Sequence, residues 1–236
     1  MGGRDRALEI LEGVKSGGRG LLTEYEAKEV LRAYHIPTTR EKLATNEEEA
    51  AAFADEIGYP VVLKICSPDI THKTDAGGVR VGMRTPGDVK AAYGEVVENA
   101  KKYRSDARVH GVLVQNMVAA GHEVIVGATR DLRFGPVLMF GLGGIFVEVL
   151  GDTSFRLAPV TRGEALEMMR EVKAFPILEG YRGLRPADLN ALADVIVKAS
   201  GLVVDLPEIV EVDINPVFAH ERGAVAVDAR IVLSSP

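Results

Sequence analysis

The segment Pro60–Thr85 constrains the fold of this 236-residue chain more than any other part of it. It starts with the β-rich run Pro60–Ile65 (PVVLKI) and finishes with the alternating run Gly78–Thr85 (GVRVGMRT). Two such runs, joined by a loop that closes on glycine, predict a β-hairpin. The first half of the chain is therefore predicted to contain hairpin-linked strands with a long polar loop between two of them.

Helix signals alternate with strand signals along the rest of the chain. Thr23 and Glu26 have the spacing of a capping box at one helix start, and Gly58 is placed to end the next helix. Further helices are predicted over 162–173 and 186–200, with β-rich runs before and after them. No repeat with a period of about 20–50 residues is visible. The fold class predicted from this order is mixed α+β.

The composition limits the classes of partner. A net charge of −6 and a pI near 5.5 argue against affinity for nucleic-acid backbone, and no basic arm with interleaved aromatic residues is present. No apolar run approaches the ~20 residues that span a bilayer, and the charged N-terminus does not resemble a signal peptide. The single Cys66 excludes an intrachain disulfide and a cysteine-rich zinc site. We therefore expect a cytoplasmic protein that binds neither nucleic acid nor membranes.

Lys64 stands inside the apolar run Pro60–Ile65, although a buried ammonium without a partner is expensive. Taken alone, a lysine that extends from a strand edge into water is the more frequent explanation. However, the pair Gly77–Gly78 follows the strand. A lysine and a glycine turn can surround phosphates with a point charge and backbone N–H groups. The segment is not a Walker A loop, because G-x-x-x-x-G-K-[ST] does not occur in the chain.

Asp213 and Asn215 stand two positions apart in a predicted strand, so their side chains point to the same face. Asp228 comes from what is predicted to be the adjacent strand. Two carboxylates and an amide oxygen are hard ligands that suit Mg²⁺. The alternative is an Asx turn, which Asp and Asn before proline commonly form. The shared face favours the metal site.

Two further segments are less specific. The strand signal stops at Gln115–Val118 and restarts at Glu123, which fits either a plain hairpin or a linker whose backbone meets a purine. Gly141–Gly144 has a G-x-G-G pattern that matches only half of a dinucleotide fingerprint. It predicts a loop where a partner or a phosphate approaches the backbone closely.

In this order, these segments resemble an ATP-grasp domain, and more narrowly the β subunit of ADP-forming acetyl-CoA or acyl-CoA synthetases in the succinyl-CoA synthetase superfamily. The resemblance covers Leu22–Leu233 and is most specific in LTEYEAKEVLRAYHIPTT, YPVVLKICSPDITHKTDAGGV, GHEVIVGATRDLRFGPVLMFGLGGIFVEVLGD and EVDINPV. It implies an ATP-grasp fold in which two α+β lobes bind a nucleotide between them. The expected parts are an N-terminal helix and linker (1–20), an N-terminal lobe (21–118) with a phosphate lid loop (67–78), and a C-terminal lobe (119–236) with the metal site.

The resemblance also implies site residues. Two lysines would contact the phosphates of ATP or ADP, namely Lys42 and Lys64. A hinge would hold adenine, with an acid close to adenine or ribose, and these residues are Gln115, Asn116, Met117, Val118 and Glu123. Mg²⁺ would be held against the phosphates by Asp213, Asn215 and Asp228.

In this family, a phosphoryl group passes from an acyl phosphate to a histidine of a CoA-binding α subunit and then to ADP at the β subunit. A second histidine in the β-subunit lid takes part, and His72 matches it. Imidazole is a good phosphoryl acceptor, and Lys73, Lys64 and Mg²⁺ would offset the transferred charge. The resemblance thus predicts an ADP-forming acid–thiol ligase with His72 and Lys64 as catalytic residues, assembled with the α subunit as a heterotetramer (α₂β₂).

Two other functions are compatible with an ATP-grasp fold. A regulatory subunit would bind nucleotide without catalysis, although the intact catalytic and metal-site residues argue against it. A ligase that joins a carboxylate to an amine through an acyl phosphate would need neither the histidine nor a partner. In the favoured interpretation, Gly141–Gly144 and Glu148 face the histidine loop of the α subunit.

Overall fold

The computed structural model describes residues 2–144, 147 and 149–234. Its helices are α1 (Gly3–Ser16), α2 (Glu24–Ala33), α3 (Glu47–Ile57), α4 (Pro86–Tyr103), α5 (Arg162–Glu171), α6 (Phe175–Leu178) and α7 (Leu189–Asp205). Its strands are β1 (Glu41–Ala44), β2 (Val61–Cys66), β3 (Val79–Met83), β4 (Gly111–Asn116), β5 (His122–Asp131), β6 (Gly135–Leu142), β7 (Thr153–Leu157), β8 (Ile209–Ala219), β9 (Ala224–Ala226) and β10 (Ala229–Leu233). None of the helices in these described ranges is long and apolar enough to cross a membrane.

The chain forms two compact units. The small unit is Thr39–Ala119, and the large unit combines Met1–Thr38 with Ala120–Pro236. Each unit consists of an antiparallel sheet with helices on one of its faces. The mixed α+β class predicted from the sequence is confirmed.

The small unit is a four-stranded sheet in the order β1-β4-β2-β3. β2 and β3 pair in the hairpin that the segment Pro60–Thr85 predicts. α3 and α4 pack on one face, where Leu63, Val112 and Val114 form a core with the helices. Because strand side chains alternate between faces, Lys64 lies on the opposite face, which we call the helix-free face of the small sheet.

Side-chain caps fix where the helices begin and end. Asn46 Oδ1 accepts a hydrogen bond from Glu49 N at 2.8 Å at the start of α3. Gly58 follows the end of α3 with a φ of 92°, a conformation that favours glycine. Thr23 and Glu26 form the predicted capping box at the start of α2. The caps at both ends of α3 allow the chain to return directly to the sheet as β2.

The large unit is a six-stranded sheet in the order β10-β8-β5-β6-β7, with β9 paired to β8. α5 and α7 pack on one face, and Ile196 of α7 shares a buried core with Phe140 and Ile214 of the sheet. Asp213 neighbours Ile214 on β8, so it lies on the opposite face, the helix-free face of the large sheet.

The segment 21–38 packs with the large unit. Leu22 N donates a hydrogen bond to Ile231 O at 3.1 Å, and α2 packs along β10 from there. The sequence grouped this segment with the N-terminal lobe, but the apolar face of α2 is buried in the core of the large sheet. As a division into nucleotide-binding lobes, the boundary between residues 118 and 119 stays a prediction.

α2 also buries two charges in the large unit. Its buried stripe includes Glu24, Ala27, Lys28 and Leu31, with the i, i+3, i+4, i+7 spacing of a core-facing helix. Lys28 Nζ lies 2.7 Å from Glu24 Oε1, and the two side chains are 0% and 2% exposed. Because desolvation offsets most of the attraction in such a pair, losing one partner is far more destabilising than losing both.

Candidate active site

Lys64 lies in the middle of β2 on the helix-free face of the small sheet. It pairs in register with Leu113 of β4 and Val79 of β3, and it is only 6% exposed. Because β2 is an inner strand, Lys64 does not extend from a sheet edge into water. A buried ammonium at this position requires negative or polar groups around it, which fits the predicted contact with phosphate.

Lys42 lies on the other face of the same sheet. It is opposite Val114 of β4, whereas Lys64 is opposite Leu113, so the two lysine side chains leave opposite faces. Lys42 forms an ion pair with Glu56, and its Nζ lies 5.0 Å from the ring centroid of Phe53. The structure therefore does not bring the two predicted phosphate lysines together, and α3 engages Lys42.

The loop 67–78, which carries His72, folds into hydrogen-bonded turns. Ala76 N donates to His72 O at 3.2 Å, and Gly78 N donates to Lys73 O at 2.7 Å. His72 is exposed at the start of these turns. The loop thus presents the imidazole to solvent from a defined backbone.

The glycine pair at the end of the loop has a structural reason of its own. Gly77 has a φ of 61°, and a Cβ on Gly78 would lie 2.5 Å from Ile65 Cγ2. Gly77 N donates to Thr74 O at 3.0 Å, and Gly78 N is also bonded inside the loop. The glycines therefore shape the loop, and their N–H groups are not the phosphate donors that the sequence suggested.

Gln115 is buried at the end of β4, with 1% of its surface exposed. It is opposite Val62 of β2 and thus lies on the same helix-free face as Lys64. Thr39 Oγ1 donates to Gln115 Oε1 at a long distance of 3.5 Å. Gln115 is thereby placed on the face where the buried lysine lies.

The next residues of the predicted hinge are tied to their own unit. Asn116 Oδ1 accepts from Arg40 N at 2.7 Å, and Asn116 N donates to Arg40 O at 3.0 Å. Met117 N donates to Pro60 O at 3.0 Å, while its side chain is 43% exposed. Val118 is half-buried. The polar groups of Asn116 thus hold the strand ends together, and the Met117 side chain remains accessible.

Glu123 is an exposed residue of β5, opposite Phe218 of β8. Its carbonyl accepts a hydrogen bond from Gly143 N at 2.7 Å. Its side chain borders a cavity of about 950 Å³ in the large unit. Five other charged or imidazole side chains line this cavity, namely His122, Arg185, His220, Glu221 and Arg222. The cavity is large and polar enough for a sugar or another hydrogen-bonding ligand beside Glu123.

Two glycines of the G-x-G-G loop (Gly141–Gly144) are approached closely by other residues of the same unit. A Cβ on Gly143 would lie 3.0 Å from Glu123 Cβ, and a Cβ on Gly141 would lie 2.8 Å from Val147 Cγ2. The close approach that the sequence predicts is thus made by neighbouring parts of the large unit. Glu148, expected to face a partner with this loop, lies outside the described residues.

The predicted metal ligands meet where β8 and β10 run side by side. Asp213 on β8 is opposite Arg230 of β10 and Gly127 of β5. Asn215 N donates to Asp228 O at 3.2 Å. The ladder between β8 and β10 therefore brings Asp213, Asn215 and Asp228 into one region.

The charges in this region fit a divalent cation. Burial raises the pKa of the Asp213 carboxyl, Glu211 and Asp228 raise it further, and Arg230 opposes them. Within residues 2–144, 147 and 149–234, no group of three His, Cys, Asp or Glu residues is arranged for a metal. The set here is instead two carboxylates and the amide of Asn215, a donor set that Mg²⁺ accepts when phosphate and water complete its shell.

A groove of about 320 Å³ lies on the helix-free face of the large sheet, and its polar lining includes Glu211, Asp213 and Asn215. Its floor is apolar and includes Ile125, Val137, Met139 and Phe155. These residues were not predicted as functional, although the alternation of apolar side chains in β5 and β6 is a signal that points to them. Carboxylates on this face repel a phosphate unless a cation lies between them, which agrees with the predicted Mg²⁺ site.

Comparison with known proteins gives a consistent result. A family model described as an ATP-grasp domain matches residues 13–233. The chain is 54% identical to the β subunit of acetate–CoA ligase (ADP-forming) I of Pyrococcus furiosus over 228 residues, 97% of this chain and 98% of the relative. It is 50% identical to the β subunit of the second such ligase of that organism, over 98% of this chain and 99% of the relative.

A solved structure is also similar over nearly the full length. It is the dinucleotide-forming acetyl-coenzyme A synthetase 1 of Ca. Korarchaeum cryptofilum in complex with coenzyme A and Mg-AMPPCP, with a phosphohistidine segment pointing towards the nucleotide-binding site. The TM-score is 0.86 at 44% identity, covering 97% of this chain and 100% of that chain.

Proposed function

This chain belongs to the ATP-grasp domain family, and from that membership we propose that it is the β subunit of an ADP-forming acyl-CoA synthetase of the acetate–CoA ligase type. The observation that carries the proposal is its near full-length similarity to β subunits of such ligases. The subunit binds ATP or ADP with Mg²⁺ and transfers a phosphoryl group between a phosphohistidine and ADP. Its activity is that of an acid–thiol ligase.

Lys64 is the residue that meets the nucleotide phosphates. Its ammonium is buried on an inner strand, so it acts on a phosphate oxygen with little competition from water. The segment Gln115–Val118 holds adenine, and Glu123 faces the ribose or the base. Lys42 is left out of this assignment because its ammonium is engaged on the helix-packed face.

Asp213, Asn215 and Asp228 are the residues that would hold Mg²⁺. When bound, the ion offsets the negative charge of the phosphates. Asp213 supports this assignment because neighbouring carboxylates crowd it, and a cation would relieve that repulsion.

His72 carries the phosphoryl group in the transfer step. A ring nitrogen of His72 attacks the γ-phosphorus of ATP, the N–P bond forms, and the bond to the oxygen bridging to the β-phosphate breaks. ADP leaves with that electron pair, and the ring N–H proton passes to solvent. ATP synthesis is the reverse, in which ADP takes the phosphoryl group from His72. The exposed position of His72 suits both exchanges, since the ring must also meet the second histidine.

The second histidine belongs to a CoA-binding α subunit, which forms the acyl phosphate. The word "subunit" in the names of the two Pyrococcus furiosus relatives supports the existence of such a partner. The stoichiometry of two α and two β subunits and a cytoplasmic location stay predictions.

The test is to purify the complex with its natural α subunit and measure ATP formation from ADP, phosphate and acetyl-CoA. In parallel, [γ-³²P]ATP with Mg²⁺ should label His72 with acid-labile phosphate, and His72→Ala should abolish that label while keeping Mg·ADP binding by calorimetry. Binding without label would instead indicate a regulatory nucleotide-binding subunit. ATP-dependent joining of an acid and an amine by this chain alone would indicate a carboxylate–amine ligase.

A further inference from the structure

Asp69 is bound through every polar group that it has. Its carboxylate accepts three hydrogen bonds from one residue: from Arg108 N at 2.8 Å, Nε at 3.0 Å and Nη2 at 2.8 Å. Its carbonyl accepts from Arg104 Nη1 at 3.2 Å, and its N–H donates to Ser67 Oγ at 3.1 Å. Asp69 is the third residue of the loop that carries His72, so these bonds fix the start of that loop.

The contact is stronger than an ordinary surface ion pair. An exposed pair that holds only two side-chain tips contributes little to stability. Here the Arg108 guanidinium donates to both carboxylate oxygens, and the Arg108 backbone N–H adds a third hydrogen bond. The carboxylate therefore links the backbone at Asp69 to the backbone at Arg108. The Asp69 side chain is 15% exposed, against 60% for Arg108. These hydrogen bonds also hold the pKa of the Asp69 carboxyl well below its usual range.

The other end of the loop is fixed as well. Asn99 Nδ2, on α4, donates to Gly77 O at 3.1 Å, and Ile65 N, on β2, donates to Gly78 O at 2.8 Å. Arg104 caps the end of the same helix that carries Asn99. His72 therefore stands between two attachments of the loop, one to the connection between α4 and β4 and one to α4 and β2.

We propose that the Asp69–Arg108 pair positions His72 for phosphoryl transfer. The inference rests on the proposed function of His72, three residues beyond Asp69. Neither side chain of the pair touches the reacting atoms. Their role is to hold the backbone from which the imidazole is presented, because an imidazole displaced by about 1 Å can lose on the order of 100-fold in rate.

The substitution Asp69→Ala releases the start of the loop. We expect the labelling of His72 by [γ-³²P]ATP with Mg²⁺ to slow by about 10- to 100-fold in the α–β complex. The affinity for Mg·ADP should stay within about twofold, since Lys64 and the metal ligands do not depend on the loop. Amide hydrogens of Ala76, Gly77 and Gly78 should exchange faster, because their acceptors lie inside the loop.

Conservative variants and a control separate positioning from general stability. Arg108→Lys keeps the charge but loses the fork, so its labelling rate should lie between those of the wild type and Asp69→Ala. Glu48→Gln removes an exposed ion pair with Lys90, 3.5 Å away, in which no residue bonded to the loop takes part, and it should label at the wild-type rate. Thermal unfolding of every variant is recorded, and rates are measured well below the transition.

The outcomes distinguish this inference from the proposed function. If the wild type labels His72 and Asp69→Ala labels it equally fast, the positioning role is overturned while the proposed function stands. The role is also overturned if all variants slow in proportion to lost thermal stability, including Glu48→Gln. If the wild type binds Mg·ADP but never labels His72, the proposed function fails first.

Discussion

The two units share one architecture, but the helix-free faces of their sheets carry opposite charges. Each is an antiparallel sheet with helices on one face, which leaves a helix-free face for other uses. On the small sheet that face buries an ammonium, Lys64, among apolar strand residues. On the large sheet it carries the predicted metal ligand Asp213, which lines a partly apolar groove together with Glu211. The cation on the small sheet agrees with the proposed contact with phosphate, and the carboxylates on the large sheet agree with the proposed Mg²⁺ site.

Buried charge alone does not identify a functional face, and Lys28 offers the largest test of this. Lys28→Met removes the ammonium that pairs with the buried Glu24 carboxylate, so we expect a loss of about 3–5 kcal/mol in the free energy of unfolding. The double substitution Glu24→Leu with Lys28→Met should recover most of that loss. Urea denaturation of both variants measures the difference, and equal losses in the two would contradict this account of the pair.

Lys64→Met tests whether the cation of the small sheet serves the reaction. Removing the point charge from the phosphates should slow phosphoryl transfer by about 100- to 1,000-fold. Lys42→Met, on the other face of the same sheet, should slow it by less than about threefold, since its exposed ion pair contributes little. Quenched-flow labelling of His72 measures both rates. Similar losses for the two lysines would show that the face on which a lysine lies does not matter.

Asp213→Asn tests the anionic counterpart on the large sheet. We expect the Mg²⁺ concentration for half-maximal ADP binding to rise by about 10- to 100-fold, while binding at saturating Mg²⁺ is largely restored. Glu211→Gln is the matched control on the same face, because Glu211 forms an ion pair with Arg230 and is not among the predicted ligands. Calorimetric titrations at several Mg²⁺ concentrations distinguish the two variants. A larger increase in the required Mg²⁺ concentration for Glu211→Gln than for Asp213→Asn would contradict the assignment of Asp213 as a metal ligand.

The smallest effect concerns pH. Hydrogen bonds from Gly223 N and Ala191 N lower the pKa of the Asp188 carboxyl at the start of α7. A lowered pKa means that its stabilisation is present above the unfolded value of about 3.9 and is lost as the pH falls through the lower folded value. Asp188→Ala should therefore lower the free energy of unfolding by about 1 kcal/mol at pH 7. This difference from wild type should shrink below about pH 4.

In the small unit, hydrogen bonds from Arg84 N and the Thr85 side chain likewise lower the pKa of Asp88. Asp88→Ala should then show the same direction of pH dependence in urea denaturation at pH 7, 5, 4 and 3. If the difference in free energy of unfolding from wild type grew on acidification, the stabilising role of that carboxylate, Asp188 or Asp88, would be refuted.

Much of the fold followed from local patterns. The hairpin of Pro60–Thr85 and the capping box of Thr23 and Glu26 depend on residues close together in the chain, and both are present. The shared face of Asp213 and Asn215 followed from the two-residue period of a strand, which needs no knowledge of neighbours.

Features that depend on strand register or on residues distant in the chain could not be predicted from local sequence patterns. Whether Lys42 and Lys64 share a face depends on how β4 aligns with both β1 and β2, and no local pattern encodes that alignment. The contact between Asp69 and Arg108 joins residues 39 positions apart in the chain. The packing of 21–38 against β10 joins residues at distant positions in the chain, so the order of local signals did not reveal that neighbour.

The contact between the segment 21–38 and β10 has a consequence for how the chain folds during its synthesis. The small unit is one continuous stretch, whereas the large unit is assembled from two stretches on either side of it. A ribosome makes the chain from its N-terminus at roughly 5–20 residues per second, and units fold as they emerge. α1 and α2 are made before the small unit and β10 is made after it, so the apolar face of α2 stays uncovered until β10 has been made. The small unit can close its sheet during that interval, which makes the inserted unit the first to fold on the ribosome.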